Sequence, residues 1–312
     1  MRLLIADADP ASGQLTDLDR RMEIVRLGQG VDATGRLAPE ALQRTFRVLS
    51  GYATAISGSG AEVRMVATSA TRDAANAAEF VSGVTGILGV PPEVVTGAEE
   101  AALSFTGATA ELGRASGGDL FAPPYLIVDI GGGSTEFVLG NRAEPGRAGQ
   151  LAAISMDIGC VRLTERHLHG DPPDQAQVAA AAADIDAALT QVAASVPAST
   201  ARTLVGLAGS VTTVAGIALR LPGYDPGVIH HARIGAGQVH EVTAGLLGQA
   251  RRQRAEIPVM HPGRIDVIGA GALILDRVLD RFGFAEVVAS EHDILDGIAW
   301  SIACRDRAPG PR

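Results

Sequence analysis

Apolar residues recur along this chain in two rhythms. Nearly unbroken aliphatic runs, RLLIAD at 2–7, EVRMVATSA at 62–70, EVVTG at 93–97 and YLIVDI at 125–130, read as buried strands, because a sheet covered on both faces takes apolar side chains on both. Between them, Leu42, Phe46, Leu49, Ala53 and Ile56 repeat at spacings of three and four, which is one face of a helix turned to a core. An Ala-rich helical stretch follows over 175–194, then a strand over Thr203 to Leu207 and helical patterns through the 210s, the 240s and the 260s to 280s. A last amphipathic helix runs from Asp293 to about Ala303 and suits packing against either half of the chain. Strands alternating with helices predict an α/β fold. The Gly- and Pro-rich stretch ASGGDLFAPP at 115–124 sets the expected boundary, dividing the chain into residues 1–122 and 123–312.

Composition narrows the classes. At 312 residues with 46% hydrophobic content the chain is long enough for two domains with real cores. The formal charge of −9 disfavours sequence-independent attraction to nucleic acid or an anionic membrane, so a polyanionic ligand has to be drawn by a local basic patch. Cys160 and Cys304 show no disulfide, redox or zinc spacing, which suits a reducing compartment. The short apolar stretch after Met1 does not make a signal peptide and no membrane-length apolar run occurs, so a cytoplasmic location is expected.

The most informative segment is IVDIGGGSTEFVLG at 127–140. A strand ends in Asp129, Gly131, Gly132 and Gly133 make a tight turn, and a second strand leaves through Ser134 and Glu136. Backbone N–H groups without a Cβ in the way can close around a phosphate oxygen, and Asp129 is a hard oxygen ligand for magnesium. A plain hairpin requires the same glycines, and the flanking carboxylates favour the phosphate reading. The turn opens a strand and is not followed by Gly-Lys-Ser/Thr, so it is neither a Walker loop nor a dinucleotide fingerprint. Upstream, Arg72 follows a strand among Thr68, Ser69 and Thr71, where it can clamp phosphate or simply stand in a capped helix start. Glu99 and Glu100 fall in the first turn of a helix, a position that acidic residues also occupy to complement the macrodipole.

Other candidates carry less. Gly206, Gly209 and Ser210 join a strand to a helix whose N-terminus can receive an anion. Arg251, Arg252 and Arg254, with Arg162, Arg166 and Arg264, are candidates to guide a long polyanion, against the plainer reading of a solvated helix end. His230, His231, His261 and His292 show no metal spacing, and neither GxSxG nor HExxH occurs. Ser290 to Asp293 reads as the cap of the last helix.

TSATRDAAN, TGAEEAALSFTGA, IVDIGGGSTEFVLG and SMDIGCVRLTERHL, in this order, resemble the successive motifs of the Ppx/GppA family of exopolyphosphatases and guanosine pentaphosphate phosphatases. The resemblance continues through VGLAGSVTT, MHPGRIDVIGAGALIL and SEHDILDGIAW. It implies an actin-like two-domain fold with the active site in the cleft, Glu100 as catalytic base, Asp129, Gly131 to Ser134 and Glu136 as the second phosphate loop, Arg72 as a further phosphate-motif residue, magnesium dependence and a possible homodimer. Family members begin with a strand and a first phosphate loop that precede a strand like RLLIAD, so the resemblance places Met1 just after that loop. The expected activity is removal of terminal phosphate from inorganic polyphosphate. Removal of the 5′ phosphate from guanosine pentaphosphate, a non-catalytic phosphate sensor and a kinase of the same superfamily are the alternatives.

Overall fold

A computed structural model of the chain describes residues 1–110, 112, 121–141 and 151–305. The amino-terminal elements are β1 (Arg2–Asp9), β2 (Gln14–Met22), α1 (Val31–Thr34), α2 (Pro39–Ser57), β3 (Val66–Ala67), α3 (Ser69–Arg72), α4 (Ala77–Leu88), β4 (Glu93–Val94) and α5 (Gly97–Thr109). The carboxyl-terminal ones are β5 (Tyr125–Ile130), β6 (Thr135–Gly140), β7 (Ala152–Met156), α6 (Cys160–His167), α7 (Gln175–Ser195), β8 (Thr203–Leu207), α8 (Ala208–Ala218), α9 (Pro226–Ile229), β9 (Arg233–Gly235), α10 (Ala236–Gly248), α11 (Arg251–Arg254), α12 (Ile268–Phe282), β10 (Glu286–Ala289) and α13 (Ile294–Ala303). The fold is α/β, as the alternation of patterns predicts.

A six-stranded sheet in the order β7-β6-β5-β8-β10-β9 dominates the carboxyl-terminal half. β5, β8 and β10 run parallel, while β6, β7 and β9 are antiparallel to their neighbours. Every residue of Tyr125–Ile130 and of Thr135–Gly140 is buried, because helices cover both faces. Successive side chains alternate between those faces. Leu126, Val128 and Ile130 join the larger cluster with Leu163, Ile185, Leu189 and Ile274. Tyr125, Ile127 and Val138 face Ala101, Phe105 and Ala108 of α5. The Gly- and Pro-rich boundary stretch lies partly outside the described residues, which resume at Phe121.

The amino-terminal strands differ from expectation. Among the described residues β1 pairs only with β2, antiparallel, and β3 only with β4. The run RLLIAD is therefore one arm of a hairpin that buries Leu3 and Ile5 and leaves its other positions partly or fully exposed, while Glu93 and Val94 of the EVVTG run are exposed. The continuous apolar pattern misleads here because it reports hydrophobicity and not what covers each face. Met1, Arg2 and Leu3 on one side and Val63 to Thr68 on the other line a cavity of about 340 Å³ between the two strand pairs. The helix expected over 42–56 is α2, whose Leu42 and Leu49 are buried. α13 begins at its cap, Asp293, whose side chain accepts from the Leu295 N–H, and it lies across α5 and touches β1. The crossing is close enough that a Cβ on Gly107 would strike the Asp293 backbone, and one on Gly297 the Leu103 carbonyl. Among the described residues no helix is long and apolar enough to cross a membrane.

Candidate functional site

A cavity of about 400 Å³ opens between the two halves of the chain. Its walls include Arg2, Thr68, Ser69 and Glu100 from the amino-terminal side and Gly131 to Ser134, Arg162, Gly209, Ser210 and Arg264 from the other.

Glu100 owes its place to the start of α5. Thr96 and Glu99 form a reciprocal cap: the Glu99 N–H donates to the Thr96 hydroxyl at 3.2 Å, and the Thr96 N–H donates to the Glu99 carboxylate at 2.8 Å. Glu99 is thus committed to the helix end, and Glu100, one position on, turns inward and is buried. Ser104 lies four residues further, one turn along the same face. Its hydroxyl donates to Asp129 Oδ2 at 2.7 Å.

Asp129 shares the parity of Tyr125 and Ile127 on β5 and so points to the α5 side of the sheet. Glu136 is its partner across the antiparallel pair, and Ser155 is the partner of Glu136 on β7. The Ser155 hydroxyl donates to Glu136 Oε1 at 2.7 Å. Asp129 and Glu136 are both buried and lie beneath the cavity wall, whereas Glu100 is part of it.

Burial of these carboxylates has an electrostatic consequence. The Glu100 carboxyl is pushed up to about 7, chiefly by desolvation and next by the charge of Asp129. Arg72 opposes the rise from 3.9 Å away without cancelling it. Asp129 is raised by burial, against the pull of Arg2 and Ser104, and Glu136 is raised well above its usual range by burial and then by Glu100 and Asp129. Glu100 Oε2 is buried without a hydrogen-bond partner among the described residues. An orphaned carboxylate oxygen among desolvated acids suits a divalent cation, which would restore the missing positive charge. Among the described residues no three side chains of His, Cys, Asp or Glu are grouped to hold a metal by themselves. The donor set instead fits magnesium, which takes one or two carboxylates and completes its shell with phosphate and water.

The glycine turn is shaped by α6. The Gly131 carbonyl accepts from the Cys160 N–H at 3.0 Å, the Gly132 carbonyl from Val161 and Arg162 N–H groups at 2.9 and 3.1 Å, and the Gly133 carbonyl from Arg162 Nε at 2.7 Å. With all three carbonyls drawn to the helix start, the Gly132 and Gly133 N–H groups have no backbone acceptor among the described residues. The wall opposite comes close: a Cβ on Gly133 would lie 2.9 Å from Ser69 Oγ. The turn therefore offers unsatisfied donors in a place where backbone is left uncovered, which is what an anion requires.

Arg72, in the last turn of α3, does not line the cavity. Its Nη1 donates to the Val95 carbonyl at 3.1 Å and faces Glu100. Of the six arginines that the sequence suggests as polyanion guides, Arg162 and Arg264 reach the cavity, which Arg2 and Arg26 also line. Arg251 and Arg254 are instead paired with Asp266 and Asp171, and Arg166 with Asp32 and Asp184. The histidines that look scattered in sequence come together in part, since His230 stacks on His231 with centroids 3.7 Å apart and His292 lies 4.5 Å from His230. Ser104, Ser155 and Arg2 escape a reading by motif. Only the i, i+4 spacing from Glu100 to Ser104 signals one of them.

A model of the Ppx/GppA phosphatase family matches residues 4–305. Exopolyphosphatase 2 of Mycobacterium tuberculosis is 48% identical over 97% of this chain and 95% of its own length. The crystal structure of an exopolyphosphatase-like protein superposes with a TM-score of 0.90 at 41% identity, covering 97% of this chain and 95% of that one. A crystal structure of the Aquifex aeolicus Ppx/GppA family member gives 0.77 at 28% identity, covering 99% and 95%. With an actin-like α/β architecture around the cleft and a family match over nearly its whole length, the chain belongs to the Ppx/GppA phosphatase family.

Proposed function

We propose that this chain is an exopolyphosphatase, a phosphoanhydride hydrolase that removes terminal phosphate from inorganic polyphosphate. The observation that carries the reading is one juxtaposition. Glu100, with an oxygen that faces Arg72 but has no hydrogen-bond partner among the described residues and with an affinity for protons near neutrality, lines the same cavity as a glycine turn whose Gly132 and Gly133 N–H groups have no backbone acceptor there.

Phosphoryl transfer asks mainly for positioning and charge stabilisation. The terminal phosphoryl group rests on the Gly132 and Gly133 N–H groups beside Ser134. Glu100 orients a water and takes its proton as the water oxygen attacks phosphorus. The bond from phosphorus to the bridging oxygen breaks, the shortened chain leaves with the electron pair, and orthophosphate remains. Magnesium held by Asp129, with Glu136 behind it, would supply charge neutralisation on the phosphate oxygens. Arg72 orients Glu100 from outside the cavity. The net charge of −9 places substrate attraction on Arg264 and Arg2 of the cavity wall and not on the surface as a whole.

Phosphate release from long-chain polyphosphate with magnesium tests the reading. Glu100→Gln should lose about a hundred- to ten-thousandfold, the range of general-base assistance. In the intact protein, kcat/KM should rise with pH as Glu100 ionises, and with magnesium offsetting the Asp129 charge the rise should lie at or below about 7. Equal rates in protein and variant would remove Glu100 from the mechanism, and no release by the unaltered chain would sink the hydrolase reading.

A further inference from the structure

Arg162 occupies a place that the mechanism above does not use. Its guanidinium, with only 11% of the side chain exposed, makes contacts in three directions. Nε donates to the Gly133 carbonyl at 2.7 Å, Nη2 donates to Asp73 Oδ2 at 2.8 Å, and Nη1 is paired with Asp32. The first acceptor belongs to the phosphate turn of the carboxyl-terminal half, and the other two belong to the amino-terminal half. Two neighbours on α6 repeat the crossing: Arg166 Nε donates to Asp32 at 2.7 Å, and the Glu165 carboxylate accepts the Gly30 N–H at 3.2 Å. Asp73 is joined through the backbone to Arg72, which faces Glu100.

We propose that Arg162 is a positioning residue that clasps the two walls of the cleft, setting the glycine turn against the α3 segment whose Arg72 faces Glu100. The role rests on the hydrolase reading for its kinetic consequence and on geometry alone for its structural one. A planar fork spreads its donors over three nitrogens and reaches acceptors this far apart, whereas the three donors of an ammonium leave from a single nitrogen and cannot span them. Drawing the Gly133 carbonyl back holds the turn in the shape that leaves the Gly132 and Gly133 N–H groups without a backbone acceptor among the described residues, and holding Asp73 fixes the segment that carries Arg72. Misplacement by about 1 Å in such a site can reduce rate by about a hundredfold. Because Arg162 acts through the turn and through Asp73, its loss should fall on kcat more than on KM.

Three variants, Arg162→Met, Arg162→Lys and Asp73→Asn, with the double variant Arg162→Met/Asp73→Asn, test this by two readouts. In phosphate release from polyphosphate, Arg162→Met should lower kcat by about a hundredfold and Asp73→Asn by about tenfold, with KM changed by less than about threefold. Arg162→Lys should recover little, and the double variant should be no slower than Arg162→Met alone. Native-state hydrogen exchange needs no substrate. The Gly30 amide and those of α1 should exchange at least about tenfold faster in Arg162→Met and in Asp73→Asn. Unchanged exchange at those amides would overturn the clasp whatever the activity proves to be, as would multiplicative losses in the double variant. An inactive unaltered chain that still shows the exchange changes would overturn the hydrolase reading and leave the clasp standing. If Arg162→Met does not fold, Asp73→Asn carries both readouts.

Discussion

The two halves of this molecule are built from similar strand-and-helix material and end in different states. Around β5 and β6 the sheet continues to six strands, and Phe137 and Ile127 are fully buried between helical layers. On the other side β1 and β2 form a hairpin whose Leu18 is 60% exposed, and β3 and β4 are pairs of two residues. A two-stranded sheet is marginal in water by itself, so the amino-terminal strands depend on α2 and α13 for what stability they have. The functional division follows. The six-stranded sheet carries the turn and, through α5 packed on its face, Glu100, while the thinner side carries Arg72.

The comparison can be broken by substitution. Phe137→Ala should cost about 3–5 kcal/mol of unfolding free energy, and Leu18→Ala less than about 0.5 kcal/mol, both read by denaturant titration. Similar losses at the two positions would erase the distinction between the halves.

A smaller effect is expected at Glu100, with opposite sign. Its folded proton affinity is raised above the ordinary 4.5 to about 7, so the folded state binds more protons than the unfolded one between those values. The contribution of Glu100 to unfolding free energy therefore falls as pH rises through that window and is constant above it. Glu100→Gln removes this penalty, and should match the unaltered chain below about pH 4.5 and exceed it by on the order of 2 kcal/mol at pH 8. A variant less stable at pH 8 would mean that the carboxylate is not held at a loss in the free protein.

Smaller than the effect at Glu100 is that of the cap that places it. Thr96→Ala should cost about 1 kcal/mol by leaving the first-turn donors of α5 unsatisfied. Because the cap also sets where Glu100 enters the cavity, phosphate release should fall with it. Loss of stability with no change in rate would separate the helix end from the site.

Much of the fold was legible because local pattern and burial agree in the carboxyl-terminal half. The spacing of Ala181, Ile185, Leu189 and Val192 marks a single helix face, and Thr203 to Leu207 forms the strand that its apolar run predicts. The hairpin partner of β1, QLTDLDRRM, was not legible, because a strand with one wet face and charged residues lacks an apolar signature. The adjacent acids at 99 and 100 look equivalent in sequence, and only helix geometry sends one to the cap and the other to the cavity.

By itself, then, the sequence determined the elements with strong periodicity, the glycine turn with Asp129 and Glu136 on either side of it, and the family likeness, since all of these are written in neighbouring residues. Only the tertiary structure decided that Glu100 and the turn share a cavity, that Asp129 and Glu136 lie beneath its wall, that Ser104 and Ser155 hold those two acids, and that Arg162 joins Gly133 to Asp32 and Asp73. Those pairings bring together residues far apart in sequence, and desolvation, which sets the proton affinity of each carboxylate, depends on everything packed around it.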